Sequence, residues 1–363
     1  MSIESDLKKD GIKVISKLDT LVVNNIARNI AQKIVDTFPE LNFNETDLFI
    51  KLARIDMYTA SIPDGMAEAN YFYKNSSIYF NNKIDFQDLE EFAIHECIHH
   101  LQEIKSSHNK LRRMGLCTFN ALSPTGMGIN EAAVQLITSK IIGIIPDFVK
   151  YYGIEFKSSS PSYYPMECHL VEEMAFITGY NVLFESTFHS NDNFKNTFIE
   201  ATSEKVFFAI QNAIDSILNY EEQISILANK STEENQSDKT CKTINEKINT
   251  LKEKISITFM RTQNLIVSSF FDKQFSTITN MEELENYRRK LENFKNLICT
   301  QEGYFFFDNY YIEKMCALEH KCNILENGGI ETAVVPTKKN KIVSFFDRFK
   351  KFFCKEEAPS NSN

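Results

Sequence analysis

Residues 86–106 read FQDLEEFAIHECIHHLQEIKS, a stretch in which apolar residues recur at steps of three and four. This spacing predicts a helix from about Phe86 to Ser106 that is apolar on most sides and therefore largely buried. Asp85 can cap its first turn. The carboxylates of Asp88, Glu90 and Glu91 come next, and negative charge is favourable at the positive end of the helix dipole. The helix also carries His95 and His99, and buried histidines need polar partners.

The pentapeptide HECIH, residues 95–99, has the residue types and spacing of a metal site. Residues four apart lie one turn above each other, so His95 and His99 can present their imidazoles to a common point about 2 Å from each. That point suits Zn²⁺, and Glu96 beside it would reach the water on the metal as a general base. The alternative is a pair of core histidines that are satisfied by hydrogen bonds alone.

A catalytic zinc needs a third protein ligand, and Glu131 in GMGINEAAVQLIT is the best candidate. Gly128 precedes a predicted apolar helix over Ile129 to Ile142, with Glu131 in its first turn. An unpaired carboxylate would be costly there, whereas one bound to a metal would not. The alternative is an exposed glutamate that the helix dipole favours at a helix start.

Other ligands are weaker candidates. His108 would serve in a HExxHxxGxxH site, but Gln102 and Lys105 occupy the positions that need glycine and histidine, so this pattern is rejected. His100 points about 100° away from His99 and is not expected to ligate. One further group shares a helical face and can supply a ligand, an acceptor for an imidazole N–H or only a surface ion pair: His169, Glu172 and Glu173.

Hydrolysis at a metal also needs a donor to the oxygen that gains negative charge. Tyr164 and His169 are the catalytic candidates for this role beside Glu96, and Tyr163 is a further donor. The alternative for each of these three, favoured for each one taken alone, is an ordinary packing or surface residue.

At these residues the chain resembles the zincin metallopeptidases, and HECIH followed by GINEAA is similar to their gluzincin branch. The resemblance covers about residues 48–185. It implies that His95, His99 and Glu131 bind zinc and that Glu96 is the base. It also implies that the strand at Ile78 to Phe80 is the edge that pairs with an extended substrate.

The chain departs from that pattern at two places. The interval between His99 and Glu131 is longer than in thermolysin-like enzymes, and Gln135 stands where an acidic residue is expected four positions after the third ligand. The hydrogen-bond support of the metal ligands is therefore a point that only a structure can define.

The organisation of the chain follows from composition and periodicity. A helix is predicted over residues 20–38, two short strands over Asn70 to Asn82 in the only strongly β-like region, and a helix from Pro165 to about Phe188. Residues 203–325 look helical, with apolar stripes typical of a hairpin or small bundle. The expected domains are a metallohydrolase domain at 1–200, a helical domain at 201–328, a linker at 329–340 and a terminal helix at 341–356.

The terminal helix contains KIVSFFDRFKKFFC, with phenylalanines on one face and basic residues opposite. Two interpretations stay open: it docks on this protein or a protein partner, or it binds a membrane surface peripherally.

Charge and cysteine content narrow the function further. A net charge of −9 over 363 residues argues against nucleic acid as the main ligand. The N-terminal residues show no signal peptide, and the eight cysteines contain no CxxC pair, so a cytoplasmic location is expected.

The sequence thus predicts an α+β protein in which a zincin-like domain precedes a helical domain. The expected activity is that of a zinc metallopeptidase acting on peptides or proteins. The alternative is a non-catalytic interaction or membrane-peripheral protein with a structural or vestigial zinc site.

Overall fold

A computed structural model describes most of the chain, namely residues 7–9, 11–63, 66–84, 88–108, 110–120, 124–231, 238–298 and 306–326. Helices and small sheets mix along it, so the predicted α+β class is confirmed. The predicted cap Asp85, the linker at 329–340 and the amphipathic helix at 341–356 lie outside the described residues.

The helices are α1 (Thr20–Thr37), α2 (Glu45–Leu52), α3 (Leu89–Leu101), α4 (Met127–Ile142), α5 (Pro165–Thr178), α6 (Tyr180–His189), α7 (Asn193–Ala201), α8 (Glu204–Ser231), α9 (Asp238–Thr277), α10 (Met281–Ile298) and α11 (Phe306–Glu326). The strands are β1 (Lys13–Lys17), β2 (Asp56–Ser61), β3 (Ala69–Phe72), β4 (Ser77–Asn81), β5 (Glu103–Lys105), β6 (Leu111–Met114), β7 (Cys117–Phe119), β8 (Pro124–Thr125), β9 (Asp147–Tyr151) and β10 (Ile154–Ser158).

A four-stranded sheet in the order β1-β2-β4-β3 contacts α3 through β3. The predicted strand pair over Asn70 to Asn82 is present as the antiparallel pair β3 and β4. However, β4 also pairs in parallel with β2 and is buried along its whole length. The expectation that Ile78 to Phe80 forms the sheet edge is therefore wrong: β3 is the outer strand on this side.

Two further sheets follow α3, the helix that carries HECIH. The strands before α3 are therefore not the only β structure of the described residues. Strands β5 to β8 form an antiparallel sheet in chain order, and β9 pairs with β10. These strands have two to five residues, too few to show a clear apolar alternation in sequence. Strand β5 starts two residues after α3, which is why that helix stops well before Ser106.

Two other helices differ from their predicted bounds. The helix predicted from Pro165 to Phe188 is two helices, because Gly179 between α5 and α6 has φ 100° and ψ 133°, outside the helical range. Helix α4 starts at Met127, so Gly128 lies in its first turn. A Cβ at Gly128 would come within 2.9 Å of Ile214 in α8, and only glycine lets these two helices approach so closely.

One apolar core joins both halves of the chain. It contains Ile94 and Ile98 of α3, Ile137 of α4 and Phe259 of α9, each of which is fully buried. A second core lies among α9, α10 and α11. Residues after 200 thus share this core, with α8 packing on α4 and α9 on α5. The domain boundary at 200/201 stays a prediction.

The helical character predicted for residues 203–325 appears as α8 to α11. In the part of the chain that the structure describes, no helix combines the length and the apolar character needed to cross a membrane.

Candidate metal site

Three side chains from two neighbouring helices converge in the core beside β3. His95 and His99 lie on α3 and Glu131 lies in the first turns of α4. The two Nε2 atoms are 3.1 Å apart, and Glu131 Oε2 lies 3.2 Å from His95 Nε2 and 3.3 Å from His99 Nε2. The predicted convergence of these residues is confirmed, and the group can hold a metal ion.

The three donor atoms form a nearly equilateral triangle. In a tetrahedral site an ion about 2.0 Å from each donor gives donor–donor distances of about 3.3 Å. The observed distances of 3.1 to 3.3 Å fit that geometry without movement of the helices. Calcium ligands lie about 2.3–2.6 Å from the ion, and calcium binds oxygen rather than imidazole nitrogen. The donor set therefore suits a transition metal ion.

Charge within the triangle favours a bound proton when no ion is there. Burial alone would raise the pKa of Glu131, but the nearby charges of His99 and His95 and their hydrogen bonds lower that pKa overall. Burial alone would lower the pKa of His99, but the charge of Glu131 outweighs it and raises the pKa of His99 to about 9. An incoming cation would displace this proton.

Glu96 lies beside the triangle without belonging to it. It is 8 % exposed, and burial raises its pKa. His95, His99 and the backbone of Tyr71 in β3 are among the groups that lower the pKa of Glu96. A carboxylate with a raised pKa beside the ligand residues has the chemistry of a general base.

A chain of hydrogen bonds holds His95 from behind. Its Nδ1 lies 2.9 Å from Gln135 Oε1, and Gln135 Nε2 donates to Glu91 Oε1 at 2.7 Å. Gln135 thus takes the place of the expected acid, and the carboxylate sits one residue further out. The sequence interpretation missed Glu91 as a partner, although it precedes His95 by four residues and so shares its helix face.

His99 has a similar arrangement on its far side. Its Nδ1 lies 3.3 Å from Gln102 Oε1, and Gln102 Nε2 donates to Asn130 Oδ1 at 3.3 Å. Asn130 Oδ1 also accepts the backbone N–H of Leu116 at 2.9 Å. Gly115, with φ 57°, leaves the space for these amides, because a Cβ there would lie 2.0 Å from Asn130 Oδ1.

Of the predicted oxyanion donors, Tyr164 lies at the site. Its ring stacks on His95 with a centroid distance of 6.2 Å. Burial, followed by the charges of Glu131 and Glu96, raises the pKa of its phenol well above the usual value, so the phenol keeps its proton. Tyr163 instead packs edge-on against Phe92.

His169 is not brought to the triangle. It is fully buried, its Nδ1 lies 2.9 Å from the backbone carbonyl of Lys157 and its Nε2 lies 3.2 Å from Glu173. Gln263 of α9 donates to Glu173 in the same cluster. Both ring nitrogens thus have other partners, which does not support the expectation that His169 donates to an oxyanion.

The other ligand candidates also have different roles. Glu172 accepts a hydrogen bond from Ser159, and Glu173 pairs with His169. His100 accepts from or donates to the Tyr71 hydroxyl at 2.8 Å, and His108 is exposed and contacts Ser107.

Helix α8 anchors the start of the helix that carries Glu131. Asp215 accepts hydrogen bonds from the backbone N–H groups of Gly126 and Gly128, both at 2.8 Å. These N–H groups have no partner within α4, because the first turn of a helix leaves its donors free. A carboxylate from a distant helix therefore serves as the cap that α4 lacks in its own sequence.

We expect Asp215→Asn to destabilise the protein by about 1–3 kcal/mol, because an amide can accept from the two N–H groups with only one oxygen. Urea unfolding followed by circular dichroism measures the effect. The exposed Asp47, changed to Asn, is the control and should shift the midpoint little. Equal stability of the two variants would argue against this capping role.

No protein-family model matches the sequence, and neither the curated proteins nor the solved structures contain a significant match to it.

Proposed function

We propose that this protein is a zinc-dependent metallopeptidase with a zincin-like site. The observation that carries the proposal is the triangle of His95, His99 and Glu131 with edges of 3.1 to 3.3 Å. Two imidazoles and one carboxylate at this spacing are typical of catalytic zinc. No fourth His, Cys, Asp or Glu joins the group in the described part of the chain, which favours an open position over a closed structural site.

Zinc in such a site acts as a Lewis acid and makes water a nucleophile at neutral pH. Glu96 accepts the proton of the attacking water and passes it to the amine that leaves when the peptide C–N bond breaks. Its raised pKa, caused mainly by burial, suits both steps. The Tyr164 phenol, which keeps its proton, donates a hydrogen bond to the substrate carbonyl oxygen as that oxygen gains negative charge.

An extended peptide is the substrate that the neighbouring strand favours. Strand β3 pairs with β4 on one side only, among the residues that the structure describes. This strand contacts α3, the helix that carries His95, Glu96 and His99. A peptide that adds to this edge by backbone hydrogen bonds would carry its carbonyl groups past the base and the metal ligands.

The test is metal removal and restoration. The purified protein should contain about one zinc per chain, should lose cleavage of an unstructured protein such as casein after chelation, and should regain it with Zn²⁺. His95→Ala should bind no stoichiometric zinc. Zinc content that is the same in His95→Ala and the unchanged protein would refute the metal site, and cleavage that survives complete zinc removal would refute the zinc peptidase.

A further inference from the structure

His95 and His99 must each present an unprotonated Nε2 to a metal, so each ring must carry its proton on Nδ1. A neutral imidazole has one N–H, and either nitrogen can carry it. With a metal bound, Glu131 and both Nε2 atoms face the ion, so the partner of Nδ1 is the group that holds each ring in the required tautomer. In this protein that partner is an amide for both rings: Gln135 for His95 and Gln102 for His99.

An amide alone does not decide the tautomer, because it offers an oxygen at one end and an NH₂ at the other. If the amide turned over, its NH₂ would face Nδ1 and would favour a proton on Nε2. Something beyond the amide must therefore fix which end faces the ring. The structure contains such a group behind each amide.

Behind Gln135 the fixed group is Glu91. An ionised carboxylate only accepts hydrogen bonds, so the NH₂ of Gln135 must face it, as the 2.7 Å contact requires. The oxygen of Gln135 then faces His95 Nδ1 at 2.9 Å and accepts its proton. Behind Gln102 the fixed group is the backbone N–H of Leu116, which only donates. It holds the oxygen of Asn130, and that oxygen holds the NH₂ of Gln102.

We propose that Glu91, through Gln135, is a positioning residue that sets the tautomer of His95 and so prepares its Nε2 for metal. The inference rests on the proposed metal site. The Leu116 N–H plays the same part for His99 through Asn130 and Gln102. The acidic residue, Glu91, thus contacts the Gln135 amide and not the imidazole. It fixes which end of that amide faces His95.

The test compares zinc affinity in four proteins by competition with a chromophoric chelator. In Glu91→Gln, residue 91 can both donate and accept, so it no longer fixes which end of the Gln135 amide faces His95. Zinc binding should weaken about 10- to 100-fold. Glu90→Gln is the matched control, since Glu90 precedes Glu91 but pairs with Lys33 and Asn29, and it should bind zinc as the unchanged protein does. The double variant Glu91→Gln/Gln135→Glu reverses the polarity of the pair while a carboxylate accepts from His95, so it should recover most of the affinity.

A second measurement reads the Nδ1 proton itself. ¹H–¹⁵N spectra of the zinc-bound protein should show a slowly exchanging Nδ1 proton on His95, because Gln135 Oε1 accepts it. In Glu91→Gln that proton should exchange faster with water. Unchanged exchange and unchanged affinity in Glu91→Gln would overturn the inference and leave the metal site standing. So would a double variant that fails to recover affinity, since Glu91 would then act by charge or packing. Absence of zinc binding in the unchanged protein would instead refute the proposed function.

Discussion

Glu96→Gln is expected to keep its zinc and to lose about 10³-fold in kcat for peptide hydrolysis. The amide keeps the size of the side chain, and Glu96 is not one of the three donors of the triangle, so the fold and the ligand triangle should persist. It cannot take a proton from water, and a positioned general base contributes about 10²–10⁴ in rate. The measurement is kcat on a peptide substrate together with zinc content for the same preparation.

Glu90→Gln is the control for this variant because it changes the same charge on the same helix. Its side chain is 43 % exposed and pairs with Lys33, so activity should stay near that of the unchanged protein. If Glu96→Gln retains both zinc and full activity, Glu96 is not the base. If it loses zinc as well, the change acts on the metal site and not on proton transfer.

Zinc affinity is expected to rise roughly 100-fold between about pH 6.5 and 8.5. In the metal-free protein the charge of Glu131 raises the pKa of His99 to about 9, against the opposite effect of burial. Below pH 9 the ring therefore holds a proton that zinc must displace, so affinity increases about tenfold for each pH unit up to that value. A series of chelator competitions at fixed ionic strength measures the slope.

Glu131→Gln provides the matched comparison for this pH dependence. Without the carboxylate, burial should lower the pKa of His99 and remove most of the slope, although the affinity itself should also fall because a ligand is lost. A flat profile in the unchanged protein over the same range would mean that His99 is already neutral in the metal-free state.

The three residues of the ligand triangle could be predicted from the sequence because each is marked by its neighbours in the chain. His95 and His99 are separated by one helical turn, and a carboxylate at the start of an apolar helix marks Glu131. The hydrogen bonds behind the ligands could not be predicted in the same way. In the sequence, Gln135 stands where an acidic residue is expected. Only the packing of α4 on α3 shows that Glu91 accepts a hydrogen bond from the Gln135 amide.

Long-range partners explain most of the other differences. Asp215 caps α4 from 87 residues further along the chain than Gly128, and Gln263 reaches the His169 cluster from α9. Neither contact leaves a pattern in the neighbouring sequence. The edge position of β3 was also hidden, because β4 looks like the second strand of a hairpin until its parallel pairing with β2 is known.

The contact between Asp215 and the start of α4 connects the proposed metal site to helices that carry no ligand. A ligand that binds only the folded state stabilises it by about 4 kcal/mol at a thousand times its dissociation constant. Because α4 holds Glu131 at one point and α8 at another, that free energy is shared by the long helices after residue 200. The metal-free protein would then unfold more often than the metal-bound protein, and proteases would degrade it faster.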